Sequence, residues 1–569
     1  MAISPALKER VLAWQAEDPD AITRAELQEL LDAESDEVLE ERFSGMLQFG
    51  TAGLRGLLGA GPQRMNRCVV QRATAGFCRY LIKTVPDAKE RGICIGYDAR
   101  RMSREFAEDV ANVVAGHGLV AHLFEEQTPT PLVGFAVLDL NAAGGVVITA
   151  SHNPPDYNGY KVFWGNGAQI ITPHDAGIAA EIEAIDTLAS IEQAPKSELI
   201  RAVSPDVKER YLTGVQKAQR HPELPRDLTI AYTAMHGVGG AGIKETFARA
   251  GFTKLYDVPS QAEPDGMFPT VAFPNPEEDG AMDLVLELAA KHNADLVLAN
   301  DPDADRLAAS VLHDGKYVVL TGNEIGCLLS HYLLENSTGD DRLVLCSVVS
   351  SPMLLSIGKA HNVRAEQTLT GHKWVQNRSL QLEAEGYRYI FGFEEALGYG
   401  IDTLVRDKDG ISAALCLADM AVYCKSQGKT LVDELEVMAR RYGLFLSDQI
   451  SIVLPGADGR AQIEGRMQAA RETPPKSLGG KAVTATQDFQ TGKRTTAEGD
   501  VSDLTFPPAN VVLFELEGNH RAMLRPSGTE PKIKHYIDVC IEIQDGESIG
   551  DARARGEALV AAIAADFAV

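Results

Sequence analysis

Leu296-Val297-Leu298-Ala299-Asn300-Asp301-Pro302-Asp303-Ala304-Asp305-Arg306 joins a short apolar run to three carboxylates at alternate positions. The apolar run has the length and composition of a buried strand. Carboxylates at i, i+2 and i+4 of the loop that follows can wrap one hard cation with oxygen ligands. Magnesium suits such a loop, because it takes a few carboxylates and keeps room for a phosphate oxygen. A calcium loop of the EF-hand type needs Gly at its sixth position and Glu at its twelfth. Arg306 and Leu312 stand there instead. An acidic turn at a strand end is the plainer alternative. Asp18-Pro19-Asp20-Ala21 has similar letters but neither a third Asp nor a strand before it, and it reads as a helix start.

Further strands are expected outward from this one, at Ile93–Tyr97, Gly145–Thr149, Leu228–Tyr232, Arg342–Cys346 and Arg388–Phe391. A helix is expected to begin near Ser103. Strands alternating with helices of ten or more residues indicate α/β units. Residues 6 to about 44 read as amphipathic helices. After about residue 450 the pattern changes to alternating strands such as Gln449–Val453, a polar stretch from about 484 to 506 and a final Ala-rich helix. That change indicates a smaller α+β domain.

Four other loops carry residue types suited to chemistry. Thr149-Ala150-Ser151-His152-Asn153-Pro154-Pro155 follows a strand, and its prolines block an immediate helix. Ser151 is therefore expected in a rigid exposed turn, as a candidate nucleophile. His152 beside it is not expected to make a triad, since adjacent side chains rarely face one another. Arg525-Pro526-Ser527-Gly528-Thr529-Glu530-Pro531-Lys532 gathers Arg, two hydroxyls, Gly and Lys, a set suited to phosphate oxygens. Gly392-Phe393-Glu394-Glu395-Ala396-Leu397-Gly398 places paired carboxylates after a strand, where they could accept from sugar hydroxyls. Phe49-Gly50-Thr51-Ala52-Gly53-Leu54-Arg55-Gly56 is a Gly-rich turn presenting Arg55, with no strand leading into it as a dinucleotide fingerprint requires. Gly428-Lys429-Thr430 is no P-loop, because Tyr423 holds the position of the first Gly.

The composition is that of an ordinary globular protein. The chain has 569 residues, 45% apolar and 24% charged, which suggests several domains. Its 80 acidic and 54 basic residues give a net charge of -26, unsuited to a nucleic-acid backbone. The eight cysteines form no C-x-x-C pair and read as buried thiols of a reducing compartment. There is no signal core and no membrane-length apolar stretch, so a cytoplasmic, non-membrane protein is expected. The oligomeric state is not legible.

Taken in order, the five loops resemble the α-D-phosphohexomutase superfamily. Trp14 to Gly56, Asn158–Trp164 and Thr370–Trp374 look like its phosphoglucomutase-2/phosphopentomutase branch. The resemblance implies four domains around a central cleft: three related mixed-sheet α/β domains plus a smaller C-terminal α+β domain. The corresponding boundaries are 1–205, 206–322, 323–448 and 449–569. It also implies roles. Ser151 corresponds to the serine that carries the phosphoryl group, and Asp301, Asp303 and Asp305 to ligands of Mg2+, with the phosphoserine as another. Arg55, Lys161 and Arg306 correspond to basic residues near the reacting group. Glu394 and Glu395 fall in the sugar loop, His372 and Lys373 in a further substrate loop. Arg525, Ser527, Gly528 and Thr529 match the loop that grips the non-reacting phosphate. The implied activity is phosphoglucomutase with glucose 1,6-bisphosphate as activator. Phosphomannomutase, phosphopentomutase and sugar-bisphosphate synthase are the alternatives. Ala396 departs from the family pattern, since many relatives carry Ser there.

Two rivals of another class are weaker. A magnesium-dependent phosphatase has no use for a second phosphate clamp at Arg525. A non-catalytic sugar-phosphate sensor has no need of Ser151 and three metal carboxylates.

Overall fold

The computed structural model describes residues 3–50, 53–454, 457–527 and 532–567. The chain divides into two compact units, Met1–Leu320 with Gly398–Ser426, and Thr321–Leu397 with Gln427–Val569.

The first unit begins with helices Pro5–Glu17, Ala21–Asp32 and Asp36–Arg42, packed through Leu7, Val11, Leu27, Leu31 and Leu39. Asp20 caps the second helix by accepting from the Ile22 amide, so Asp18-Pro19-Asp20 is a helix start. A mixed six-stranded sheet follows, in the order Leu54–Leu57, Tyr157–Trp164, Gly144–Ile148, Ile93–Tyr97, Ala121–Leu123 and Ile200–Ala202. Tyr157–Trp164 runs antiparallel to both its neighbours, and the remaining pairs are parallel. Helices Arg67–Thr84 and Ser103–Gly116 bury their apolar faces against it, with Phe77, Leu81, Phe106 and Val110 fully enclosed.

The second sheet of this unit is also mixed. Its order is Lys316–Leu320, Ala308–His313, Leu296–Ala299, Ile230–Thr233 and Leu255–Asp257. Leu296–Ala299 is parallel to Ile230–Thr233 and antiparallel to Ala308–His313. The strand leading into the carboxylate loop is thus central and buried on both faces, which is why it reads as an unbroken apolar run. Helix Gly410–Ser426 packs on helices Gly240–Arg249 and Pro205–Val215. Tyr211 donates to Asp409 at 2.9 Å and Arg226 pairs with Asp419 at 2.8 Å.

The second unit contains three parallel strands of a further sheet, Arg364–Thr368 beside Arg342–Ser347 beside Arg388–Glu394. Capping boxes start two of its helices, Gly322–Glu335 from Thr321 and Leu431–Tyr442 from Thr430. The unit ends in an antiparallel sheet built on Leu444–Val453, Lys532–Ile541, His520–Pro526, Val512–Leu516 and Lys481–Asp488. Helices Ala457–Glu472 and Ile549–Phe567 belong to this part. The polar stretch 484–506 is not a loop: it contributes strand residues up to Asp488 and the strands Lys493–Thr496 and Val501–Asp503. These lie at the sheet's end with solvated faces, so no apolar alternation marks them. The architecture is therefore three mixed or parallel α/β domains and a C-terminal antiparallel one, as the sequence led us to expect. Among the described residues, no helix is long and apolar enough to cross a membrane.

Candidate active site

Ser151 sits three residues past strand Gly144–Ile148, in the left-handed region at φ 53°. Its amide donates to the Thr149 hydroxyl at 2.8 Å. The turn is not exposed as expected: Ser151 is 2% exposed. Its hydroxyl donates to Asp301 Oδ2 at 2.8 Å, so the carboxylate loop covers it.

That loop is tightly built. Ala304 takes φ 58°, and its amide returns to the Asp301 carbonyl at 2.9 Å. Asn300 donates from its amide nitrogen to the Arg306 carbonyl at 2.6 Å. The turn brings Asp301, Asp303 and Asp305 together, with oxygens all within 4.8 Å of one another and all three residues buried.

Each carboxylate has a different set of partners. Asp301 Oδ1 accepts from the Arg306 amide at 3.1 Å. Asp303 Oδ2 accepts from Thr130 Oγ1 and from Lys161 Nζ, both at 2.6 Å. Asp305 Oδ2 accepts from Lys161 Nζ at 2.8 Å and lies 3.1 Å from Lys408 Nζ. Asp303 Oδ1 and Asp305 Oδ1 are buried without a hydrogen-bond partner among the described residues. Two orphaned carboxylate oxygens beside a third carboxylate form an all-oxygen donor set, which fits a hard divalent cation.

Electrostatics separate the three acids. Burial pushes the Asp301 carboxyl well up, and Asp303 and Asp305 push it further. Burial and Asp305 also act to raise Asp303, but Lys161 and Thr130 outweigh them and hold it down. Burial acts against ionised Asp305 too, yet Lys161, Lys408 and Arg306 hold it well below the usual carboxylate range. Burial acts to lower Lys161, but Asp303 and Asp305 overcome it and keep the ammonium charged.

The other expected basic residues arrive from different elements. Arg55, on strand Leu54–Leu57 opposite Gly159, donates to Asn153 Oδ1 at 3.1 Å. Arg306 Nε is 3.9 Å from both Asp301 and Asp305. Sequence reasoning missed Lys408, which lies 257 residues along the chain from Ser151 and offers only Asp407-Lys408-Asp409 as a signal. It missed Thr130 as well, the first residue of helix Thr130–Asp139. His152 departs from expectation: its Nδ1 is 3.3 Å from Ser151 Oγ, and its ring faces Phe273. Burial, Arg306 and Arg55 hold its pKa well below the ordinary value, so it is a neutral neighbour of the hydroxyl.

In the second unit, Glu394 ends strand Arg388–Glu394 and accepts from the Gly371 amide at 2.6 Å. Gly371 has φ 113°, a conformation that requires glycine. His372 is buried at the start of helix His372–Ala384, its Nδ1 3.9 Å from Glu394, and Lys373 beside it is half-buried. Glu395 Oε2 accepts from Ser347 at 3.1 Å and Ser350 at 3.2 Å. Arg521, paired with Asp538 at 2.7 Å, donates to the Ser350 carbonyl. Arg525 lies on strand His520–Pro526 opposite Lys534, and the Ser527 amide donates to the Lys532 carbonyl at 2.8 Å. Gly528 and Thr529 lie outside the described residues.

Comparison with known proteins adds an independent line. Family models described as phosphoglucomutase/phosphomannomutase alpha/beta/alpha domains I, II and III match residues 46–189, 209–314 and 321–442. A Haemophilus influenzae protein named "Probable phosphomannomutase" is 40% identical over 83% of this chain and 93% of its own length. Human phosphopentomutase is 36% identical over 94% of this chain and 91% of its own. A phosphoglucomutase of Staphylococcus epidermidis is 36% identical over 94% and 98%.

Proposed function

The chain belongs to the phosphoglucomutase/phosphomannomutase family of the α-D-phosphohexomutase superfamily, enzymes of the intramolecular phosphotransferase type, and from that premise we propose that it interconverts glucose 1-phosphate and glucose 6-phosphate. One observation carries the reading: the Ser151 hydroxyl, 2.8 Å from Asp301, opens onto three gathered carboxylates ringed by Lys161, Lys408 and Arg306. A resident phosphate on Ser151 would meet those cations at once.

The chemistry needs little covalent help from the protein. A loose phosphoryl-transfer transition state needs charge neutralisation and in-line placement. The bond from phosphorus to Ser151 Oγ breaks as one forms to the free hydroxyl of a sugar monophosphate, giving glucose 1,6-bisphosphate. The hydroxyl proton passes to a nearby base. The bisphosphate then turns end for end, and its other phosphoryl group returns to Ser151. Lys161, Lys408, Arg306 and Arg55 supply positive charge to the moving group. Asp301, Asp303 and Asp305 would hold Mg2+ with an oxygen of the phosphoserine, and the bound ion supplies Lewis-acid neutralisation. Arg525, Ser527, Gly528 and Thr529 grip the phosphate that is not reacting. Glu394 receives sugar hydroxyls, with His372 and Lys373 beside it. Glu395, already engaged by two serines, braces the loop.

A second reading, pentose 1-phosphate as substrate, is favoured by Ala396, which removes a hydroxyl from the sugar loop, and by the likeness to human phosphopentomutase. The deciding measurement is kcat/KM for glucose 1-phosphate, mannose 1-phosphate and ribose 1-phosphate, each with its matching bisphosphate. Glucose is expected to lead mannose by about tenfold or more, since an axial epimer leaves a charged acceptor unpaired. Equal or better turnover of mannose makes the enzyme a phosphomannomutase, and a lead for ribose makes it a phosphopentomutase.

A further inference from the structure

We propose that Arg100 is a positioning residue for phosphoryl transfer, holding the Ser151 turn in the conformation that aims Oγ at Asp301. This rests on Ser151 as the phosphoryl carrier. Arg100 follows strand Ile93–Tyr97, and its side chain has no exposure to solvent. One terminal nitrogen donates to the carbonyls of Ser151 at 2.6 Å and Asn153 at 2.5 Å. The other donates to the carbonyls of Pro154 at 2.8 Å and Tyr157 at 3.2 Å. Three of these four acceptors belong to the turn that carries the hydroxyl. Ser151 itself holds a left-handed φ, which is strained for a residue with a Cβ, so something must hold it there.

The guanidinium is itself held from two sides. Asp98 Oδ2 is 3.3 Å from its Nε. Asp98 Oδ1 accepts from the Arg100 amide at 3.0 Å and from Ser103 Oγ at 2.7 Å. On the other side the ring of Phe268 lies 4.9 Å from the guanidinium carbon. A Cβ added at Gly266 would meet the Ala99 carbonyl at 2.4 Å and Arg100 Cα at 2.6 Å, so the Phe268 segment lies directly on Arg100. That segment follows strand Leu255–Asp257 of the second sheet, the sheet whose central strand leads to Asp301. Arg100 therefore touches both the turn bearing Ser151 and the domain bearing Asp301. A lysine could keep the charge, but a single ammonium cannot span two pairs of carbonyls as the planar fork does.

The test compares wild type with Arg100→Lys in single-turnover transfer from glucose 1,6-bisphosphate to Ser151, followed by intact mass. Steady-state kinetics and Tm are measured alongside. The expected result is transfer slowed by about 10²-fold with KM for glucose 1-phosphate within about threefold of wild type, and with Tm lowered by the unpaired carbonyls but still well above the assay temperature. Arg100→Ala is expected to regain transfer on adding millimolar guanidinium and not on adding ammonium. If the Arg100 variants do not fold, Asp98→Asn, which loosens the guanidinium without removing it, is expected to show the same split on a smaller scale. Wild-type transfer rates in these variants overturn the proposal. So does a loss that tracks Tm and shows no rescue, which marks a merely structural arginine. A wild-type protein that takes no phosphate on Ser151 overturns the functional reading itself and Arg100's role with it.

Discussion

Replacing Asp303 with Asn separates the site's chemistry from its contribution to folding. In the fold, Asp303 Oδ2 accepts from Thr130 and Lys161, each at 2.6 Å, while Oδ1 is buried without a partner among the described residues. Asn retains an acceptor for Thr130, and Lys161 retains Asp305 at 2.8 Å. Breaking a buried ion pair costs about 3–5 kcal/mol when a charge is left uncompensated. Here the ammonium is not left alone. Carboxylate oxygens within 4.8 Å of one another also repel by about 3 kcal/mol at an effective dielectric of ~20, and the substitution relieves part of that. The two effects nearly cancel, so stability is expected to change by about 1 kcal/mol in either direction. Turnover has no such compensation. Losing one charge from the cation-binding set is expected to cost about 3–4 kcal/mol in the transition state, or 10²–10³-fold in kcat. The assay is kcat for glucose 1-phosphate at saturating Mg2+ and bisphosphate, alongside Tm. A variant with kcat within about threefold of wild type would falsify the assignment of Asp303 as a ligand. A collapse of Tm together with kcat would show that the carboxylate serves folding first.

Lys408→Met removes the ammonium 3.1 Å from Asp305 and is expected to lower kcat at least about tenfold with little change in KM; an unchanged kcat would remove Lys408 from the transfer step. Arg525→Ala is expected to weaken both glucose 1-phosphate and glucose 6-phosphate by about 1.5–3 kcal/mol, since one clamp serves both orientations; weakening of one substrate only would argue for separate sites. His535, 1% exposed on strand Lys532–Ile541 with neither ring nitrogen partnered among the described residues, has its pKa lowered by burial to about 4. The folded state therefore refuses a proton that the unfolded chain accepts near pH 6.5, so its contribution is intact above that pH and is lost as pH falls toward 4, by up to about 3 kcal/mol. His535→Leu is expected to flatten the fall of Tm across that window, and an unchanged pH profile would show that another group sets it.

Much of the machinery was legible because its physics is local. An unbroken apolar run into alternate carboxylates marks a central strand and a loop able to gather its acids, and Leu296–Ala299 is such a strand, with Asp301, Asp303 and Asp305 brought together after it. The serine turn was legible from its prolines, but its burial was not, because the cover is Asp301, 150 residues away. The pairing of His152 with Ser151 depends on a positive φ at the serine, which no residue type there announces. The solvated strands Lys493–Thr496 and Val501–Asp503 carry no alternation because neither face is deeply buried.

The sequence by itself determined the α/β alternation, the order of the five loops and the kind of atom each would offer: hydroxyl, carboxylate, guanidinium. Those properties follow from hydrophobic period, turn chemistry and donor type over a few residues. Only the tertiary structure decided which cations meet which carboxylates. Lys161 arrives on an antiparallel strand of the first sheet, and Lys408 arrives just before helix Gly410–Ser426, which packs in the first unit. Arg100 reaches the serine turn from the neighbouring parallel strand. Such meetings are set by sheet order and by the return of a distant segment, and both are long-range choices made by burying whole faces rather than by any residue's own preference.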